Sequence, residues 1–288
     1  MLECVPNFSE GRDAAVVRAI VQAIQSEAGV RVLGWESDED HHRSVITFAG
    51  HNDSVIEAAV RGAGKAAELI DLRKHFGVHP RVGAADVIPF IPLAGANMDD
   101  AVAAARRAGE EIWSRFGVPV YFYGAAARRP NRQRLELVRR TGFDGAPQDV
   151  GDIAEHPTAG AAVVGARGFL IAYNVLLETP DTAIAQAIAK RIRESSGGFK
   201  FVKAIGLHLK THDRAQVSMN LTNFAATPLE EVFHTIEHEA LQAGTRVHSC
   251  ELIGFVPQAA FDAAPAFFRR AENFIPSRII EAHLLDLK

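Results

Sequence analysis

Apolar and polar positions along this chain follow two rhythms, one of strands and one of helices, and the two alternate from end to end. Leu2 to Phe8 reads as a short strand running into the polar turn Asn7, Ser9, Glu10 and Gly11. Ala14 to Ile24 repeats apolar residues at helical spacing, with Asp13 placed to cap it. Val30 to Trp35 and Ser44 to Phe48 read as strands flanking the charged stretch Glu36 to Arg43. A helix capped by Asn52 or Asp53 runs to Leu69, with Val55, Ala59, Gly62 and Ala66 on one face. Val87 to Leu93 is a strand, Met98 to Phe116 a helix, Pro119 to Tyr123 a strand, and Arg128 to Arg140 a strongly basic helix.

Thr141 to Thr158 is rich in Gly, Pro and Asp and lacks periodicity, so it reads as a linker between a first domain, 1–157, and a second, 158–288. In the second, Val163 to Leu177, Phe201 to Leu209, Val217 to Phe224 and Val247 to Val256 are strand-like. Asp181 to Glu194 and Pro228 to Ala243 are helical. That order is β-α-β-β-α-β, the ferredoxin-like split unit. The first half opens with the same order and adds further elements. The fold class is therefore α/β (α+β), with two related ferredoxin-like subdomains.

Composition narrows the functional classes. The chain has 288 residues and a formal net charge of -4, with both signs interspersed, so nothing marks it for nucleic acid or an anionic membrane. Cys4 and Cys250 lie far apart and in no metal or redox spacing, which suits a reduced compartment. The N-terminus lacks the pattern of a signal peptide, and no apolar run approaches the ~20 residues of a membrane span. The expectation is a cytoplasmic globular protein.

Candidate chemistry centres on Gly77-Val78-His79-Pro80-Arg81-Val82-Gly83, just before an apolar strand. Proline holds the residue before it extended. His79 can move protons near neutral pH, and Arg81 offers a fork that suits a carboxylate. Four other polar clusters interrupt apolar runs. Asn7 and Ser9 either bond a ligand or form a turn. Glu36 to Arg43, with His41 and His42, either charge-stabilises a partner or is a solvated hairpin loop; adjacent histidines on a strand point to opposite sides and do not share a metal easily. Gly160 to Arg167 either admits a bulky ligand to the backbone or packs tightly, and it is neither a Walker loop nor a dinucleotide fingerprint. Gln216, Ser218, Asn220 and Thr222 alternate on one face, solvated or lining a groove. His234 and His238 lack a third metal ligand, and the arginines from Arg128 to Arg140 are too local for a nucleic-acid footprint. No metal site is expected.

Glu3-Cys4-Val5-Pro6-Asn7-Phe8-Ser9-Glu10-Gly11, Asp40-His41-His42-Arg43-Ser44-Val45, His79-Pro80-Arg81-Val82-Gly83-Ala84 and Val118 to Gly124 resemble, in order, segments of the formiminotransferase domain family. Gly165 to Leu170, Ala172-Tyr173-Asn174 and Val217 to Thr222 continue the resemblance, which reaches about Pro257. It implies two ferredoxin-like halves with a folate groove between them. The implied activity is transfer of the formimino group of N-formimino-L-glutamate to N5 of tetrahydrofolate, a step in histidine degradation. It also implies that His79 is catalytic, with the acidic position falling near Glu36; Arg81 and Asn7 are, by their chemistry, candidates to bind substrate. Folate falls to Thr158, Ala159, Gly160, Ala161, Ala162, Val163, Val164, Gly165, Ala166 and Arg167, with Arg167 a candidate for a carboxylate. Two departures stand out: Val78 where relatives often carry an acidic residue, and Gly151-Asp152 where a Gly-Pro pair is expected. The cyclodeaminase domain fused in some relatives is not expected here. Tetrahydrofolate as co-substrate, a homodimer, and no nucleic-acid or membrane partner complete the expectation. The alternatives are a non-catalytic folate carrier, a transferase with an N-formyl donor, and an RNA-binding module, which the absent aromatic RNP pattern disfavours.

Overall fold

The computed structural model describes every residue except 78–79, 94, 142–146 and 285–288, and only the backbone of Arg140 and Thr141. Contacts divide the chain into two units, Met1–Gly168 and the part from Phe169 onward. The boundary thus falls after Gly168 rather than at 157/158.

In the first unit the opening strand is split into β1 (Leu2–Cys4) and β2 (Asn7–Phe8). Pro6 between them has no N–H for the ladder, while its carbonyl accepts from Ile46 N at 3.1 Å. There follow α1 (Ala14–Gln25), β3 (Val30–Asp38), β4 (Arg43–Gly50), α2 (Asn52–Leu69), β5 (Ala85–Pro92) and α3 (Met98–Phe116). The unit closes with β6 (Val120–Gly124), α4 (Leu135–Thr141) and β7 (Ala162–Ala166). Across the sheet β3 pairs with β4, β4 with both β1 and β2, and these with β5, all antiparallel. On the far side of β5, strands β7 and β6 run parallel.

Local chemistry sets the helix ends. Asp13 Oδ1 accepts from the N–H groups of Ala15 and Val16 and caps α1 as expected. Asn97 and Asp100 form a reciprocal capping box on α3, which ends at Gly117 in the left-handed region. Helix α2 differs: His51 is its N-cap and makes no side-chain cap bond, and Asp53 lies in the first turn, where it suits the helix dipole and pairs with Arg107. The three long helices cover one sheet face, burying Phe8, Phe48, Phe90 and Phe122 with Ile20, Ile24 and Ile112. On the opposite face Val87, Tyr121 and Val163 meet Val138 of α4.

The expected basic helix over Arg128 to Arg140 is instead a 3-10 turn, Pro130–Arg132, followed by α4. Arg132 turns inward, donating to Asp149 Oδ2 at 2.7 Å and Pro147 O at 2.6 Å and stacking over Tyr121. These contacts outweigh the continuous helix.

The second unit holds β8 (Ile171–Leu177), α5 (Thr182–Ile192), β9 (Val202–Leu209), β10 (Arg214–Leu221), α6 (Leu229–Gln242) and β11 (Val247–Ile253). Its antiparallel order β11-β8-β10-β9 is that of the split unit. The single strand expected over Val163 to Leu177 is two, β7 and β8, in different units, with the Arg167–Gly168 corner between them. Gln216, Ser218 and Asn220 share a face as expected, opposite Leu176, Asn174 and Ala172. Thr222 lies past the strand and donates to Phe201 O. His234 sits against Glu237, and no group of three potential metal ligands occurs among the described residues.

Two glycines test the packing of the first unit. A Cβ on Gly83 would run into the Ala161 carbonyl, whereas one on Gly168 meets nothing within 4 Å. Gly83→Ala is expected to destabilise the first unit by ~1–3 kcal/mol in urea denaturation. Gly168→Ala should stay within about 0.5 kcal/mol of wild type. Equal midpoints for the two variants would contradict the close approach.

Candidate active site

One extra residue builds the polar centre of the first unit. Asn7 pairs with Val87 but Phe8 pairs with Ala85, so Asp86 is a bulge in β5. The bulge explains why Ala85 packs with the helices while Val87, two residues on, faces the other side. Asp86 is fully buried. Its Oδ2 accepts from Arg43 Nη1 and from Arg139 Nη2, each at 2.6 Å, and its Oδ1 from Val82 N at 2.6 Å. Arg43 Nε also donates to Asn7 Oδ1 at 3.0 Å. Burial alone would raise the Asp86 pKa. The guanidiniums of Arg139 and Arg43, with the Val82 N–H, reverse this and hold it well below the usual carboxylate range. Burial pulls the Arg43 pKa down to about 10 against the Asp86 charge.

A second cluster lies at the turn between β3 and β4. His41 and His42 are in the turn rather than on a strand. Asp38 accepts from His41 N and also meets His41 Nδ1 at 2.9 Å, and despite its burial these contacts lower its pKa. His42 has φ of 49°, and its ring centroid lies 3.8 Å from that of His75. Gly11 N points at His42 Nδ1 at 3.3 Å, and Glu10 Oε1 lies 3.5 Å from the same nitrogen. Burial lowers the His42 pKa, with Arg12 and Arg81 adding to the effect and Glu10 opposing it, so the ring is neutral at pH 7.

Gly77 and Arg81 dock on this turn. Gly77 lies so close that a Cβ there would meet His41 O at 2.6 Å and His42 Cβ at 2.8 Å. Arg81 donates to Gly77 O at 2.9 Å and lies 3.2 Å from His75 Nε2, which is 3.1 Å from His42 O. His79, the expected catalytic residue, and Val78 lie outside the described residues. The residues flanking them, Gly77 and Arg81, are held by the His42–His75 pair.

The remaining expected residues divide by face. Glu36 pairs with Val45, and Val45 with Asn7, so Glu36 and Asn7 project from the same side, two strands apart at about 10 Å. Of the folate stretch, Thr158 O accepts from Leu72 N and Ala159 O from Ala84 N. The N–H groups of Thr158 and Ala159 point at His156 Nδ1. Gly160 has φ of 67°, and the next residue, Ala161, donates its N–H to Val82 O at 3.1 Å. Ala162, Val164 and Ala166 face the helices, while Ala161 and Val163 face the side of Asn7. Gly165 makes room for the Tyr123 ring. Arg167 is half-buried and donates to Gly168 O.

His75, Arg43, Asp86 and Arg139 were not singled out from the sequence. Asp86 carried a signal: it is the one charged residue in the apolar run Val82 to Leu93. Removing its charge strands two buried guanidiniums, so Asp86→Asn is expected to cost ~3–5 kcal/mol at pH 7. Folding lowers the Asp86 pKa, so its contribution is complete above ~4, the unfolded value, and is lost as pH falls further. The gap between wild-type and Asp86→Asn urea midpoints should therefore be full at pH 7 and narrow below about pH 4. A gap that stays constant into acid would contradict the network.

Comparison with known proteins places this geometry. The formiminotransferase domain, N-terminal subdomain, matches residues 1–167, and the formiminotransferase domain matches 172–286. A glutamate formimidoyltransferase from Streptococcus pyogenes serotype M1 is 42% identical over 99% of this chain and 99% of its own length. One from Thermoplasma acidophilum is 40% identical over 98% of this chain and 96% of its own. The formimidoyltransferase-cyclodeaminase of Rattus norvegicus is 40% identical over 93% of this chain, which spans 52% of that longer protein. A solved microcompartment protein from Desulfitobacterium hafniense overlays 88% of the chain at 11% identity and a TM-score of 0.23, too slight an overlap to describe a shared fold. The chain belongs to the formiminotransferase domain family.

Proposed function

We propose that this chain is a transferase that moves the formimino group of N-formimino-L-glutamate to N5 of tetrahydrofolate, giving 5-formiminotetrahydrofolate and L-glutamate in histidine degradation. The observation that carries the reading is full-length identity of 42% to a glutamate formimidoyltransferase, with Gly77 and Arg81 lying against His42 and His75. N5 attacks the amidine carbon, a C–N5 bond forms, and the bond from that carbon to the glutamate nitrogen breaks. One proton leaves N5 and one reaches the departing nitrogen.

His79 is our candidate for that shuttle. Glu36, on the face of Asn7, stabilises charge in the tetrahedral adduct, and Arg81 and Asn7 orient the donor. Tetrahydrofolate lies along Thr158–Arg167, where Thr158 and Arg167 are the residues that keep some exposure. Holding both substrates in register supplies much of the acceleration. On this reading the reaction belongs to the cytoplasm, where both cysteines, free and buried, stay reduced.

The test is turnover of purified protein with N-formimino-L-glutamate and tetrahydrofolate, followed by absorbance beside N-formyl-L-glutamate. Formimino-dependent turnover is expected, with His79→Ala lowering kcat at least ~100-fold. Folate binding without turnover of either donor would move the chain to the carrier reading. Near-normal turnover in His79→Ala would remove His79 from the shuttle.

A further inference from the structure

We propose that Arg139, with Arg43 beside it, forms a seat for a glutamyl carboxylate in the first unit. This rests on the formimino-transfer reading, whose donor and folate acceptor both carry such a group. The guanidiniums of Arg43 and Arg139 both meet the single carboxylate of Asp86. Arg139 meets no other anion among the described residues. Its Nε is enclosed by protein and has no hydrogen-bond partner among the described residues.

Arg132, a few residues earlier, shows what an arginine serving only the fold looks like. It is 4% exposed, with Nη1 on the Asp149 carboxylate, Nη2 on a backbone carbonyl and the plane stacked on Tyr121. Among the described residues Arg139 makes a single bond, and its side chain remains 15% exposed. A guanidinium that is under-bonded and mostly buried calls for an anion from outside, since burying an unmatched charge is costly. A planar fork selects a carboxylate.

The seat also lies where the chemistry needs it. Asp86, which orients Arg139, binds Val82 N next to Arg81, while Arg43 reaches Asn7. A carboxylate held there is tied through one hub to the His-Pro-Arg segment. The donor's glutamyl group and the glutamyl tail of folate share this chemistry.

Steady-state kinetics and L-glutamate binding by calorimetry, on wild type, Arg139→Gln and Arg139→Lys, test the seat. In Arg139→Gln the KM of one substrate should rise at least tenfold with kcat nearly kept, and Arg139→Lys should recover part of it. A rise for N-formimino-L-glutamate together with lost L-glutamate binding identifies the donor. A rise for tetrahydrofolate that is absent with tetrahydropteroate, which lacks the glutamyl tail, identifies the folate. Folded variants with both KM values unchanged would overturn the proposal. Should the variants not fold, wild type labelled with 15N-arginine answers the question. Its Arg139 Nε–H signal should move on adding L-glutamate or tetrahydrofolate, and no movement with either overturns the seat. Wild type without turnover would instead sink the functional reading, independently of where L-glutamate binds.

Discussion

The polar side of the first unit depends on one buried carboxylate. Asp86 holds Arg43 and Arg139 in place, binds the backbone of Val82, and through Arg43 reaches Asn7. A carboxylate with no exposure would ordinarily be driven neutral. Here two cations and an N–H reverse the preference, so the charge persists at any physiological pH. Three segments far apart in sequence, at Arg43, Val82 and Arg139, are brought together by that single charge.

The histidine turn is a second, softer organising element. His42 is kept neutral by burial and by neighbouring cations, and so it can accept from Gly11 N and lie against His75 without adding charge. Gly77 allows the chain to approach this pair, which places the residues around His79 against a fixed surface. The hub is ionic and the turn is a matter of packing. Each supports one end of the same short segment.

Much of this was legible in the sequence. Helical spacing located α1, α2, α3, α5 and α6, and Asp13 marked a start that the structure keeps. The order of elements gave away the split unit in both halves. Other features need tertiary contacts. Arg132 and Arg139 lie in one basic run and look alike in sequence; only their partners distinguish a structural arginine from an under-bonded one. Strands β7 and β8 form a single apolar stretch by pattern, because nothing local says that the first pairs with β5 and the second with β10. The bulge was invisible because alternation assumes that every residue counts. Glu36 and Asn7 were each readable as polar, but their shared face emerges only from the pairing register.

The bulge has one more consequence. Phe8 stands opposite Ala85 and Asn7 opposite Val87, and those pairings form a regular ladder in which Asp86 has no place. If Asp86 were struck out of the chain, its neighbours would keep their partners and their faces, and the apolar core would be undisturbed. The sheet and the ionic hub are therefore separable pieces of the design. A charged centre has been threaded into a hydrophobic strand as an insertion, the kind of change that leaves every other residue of the strand reading as it did before.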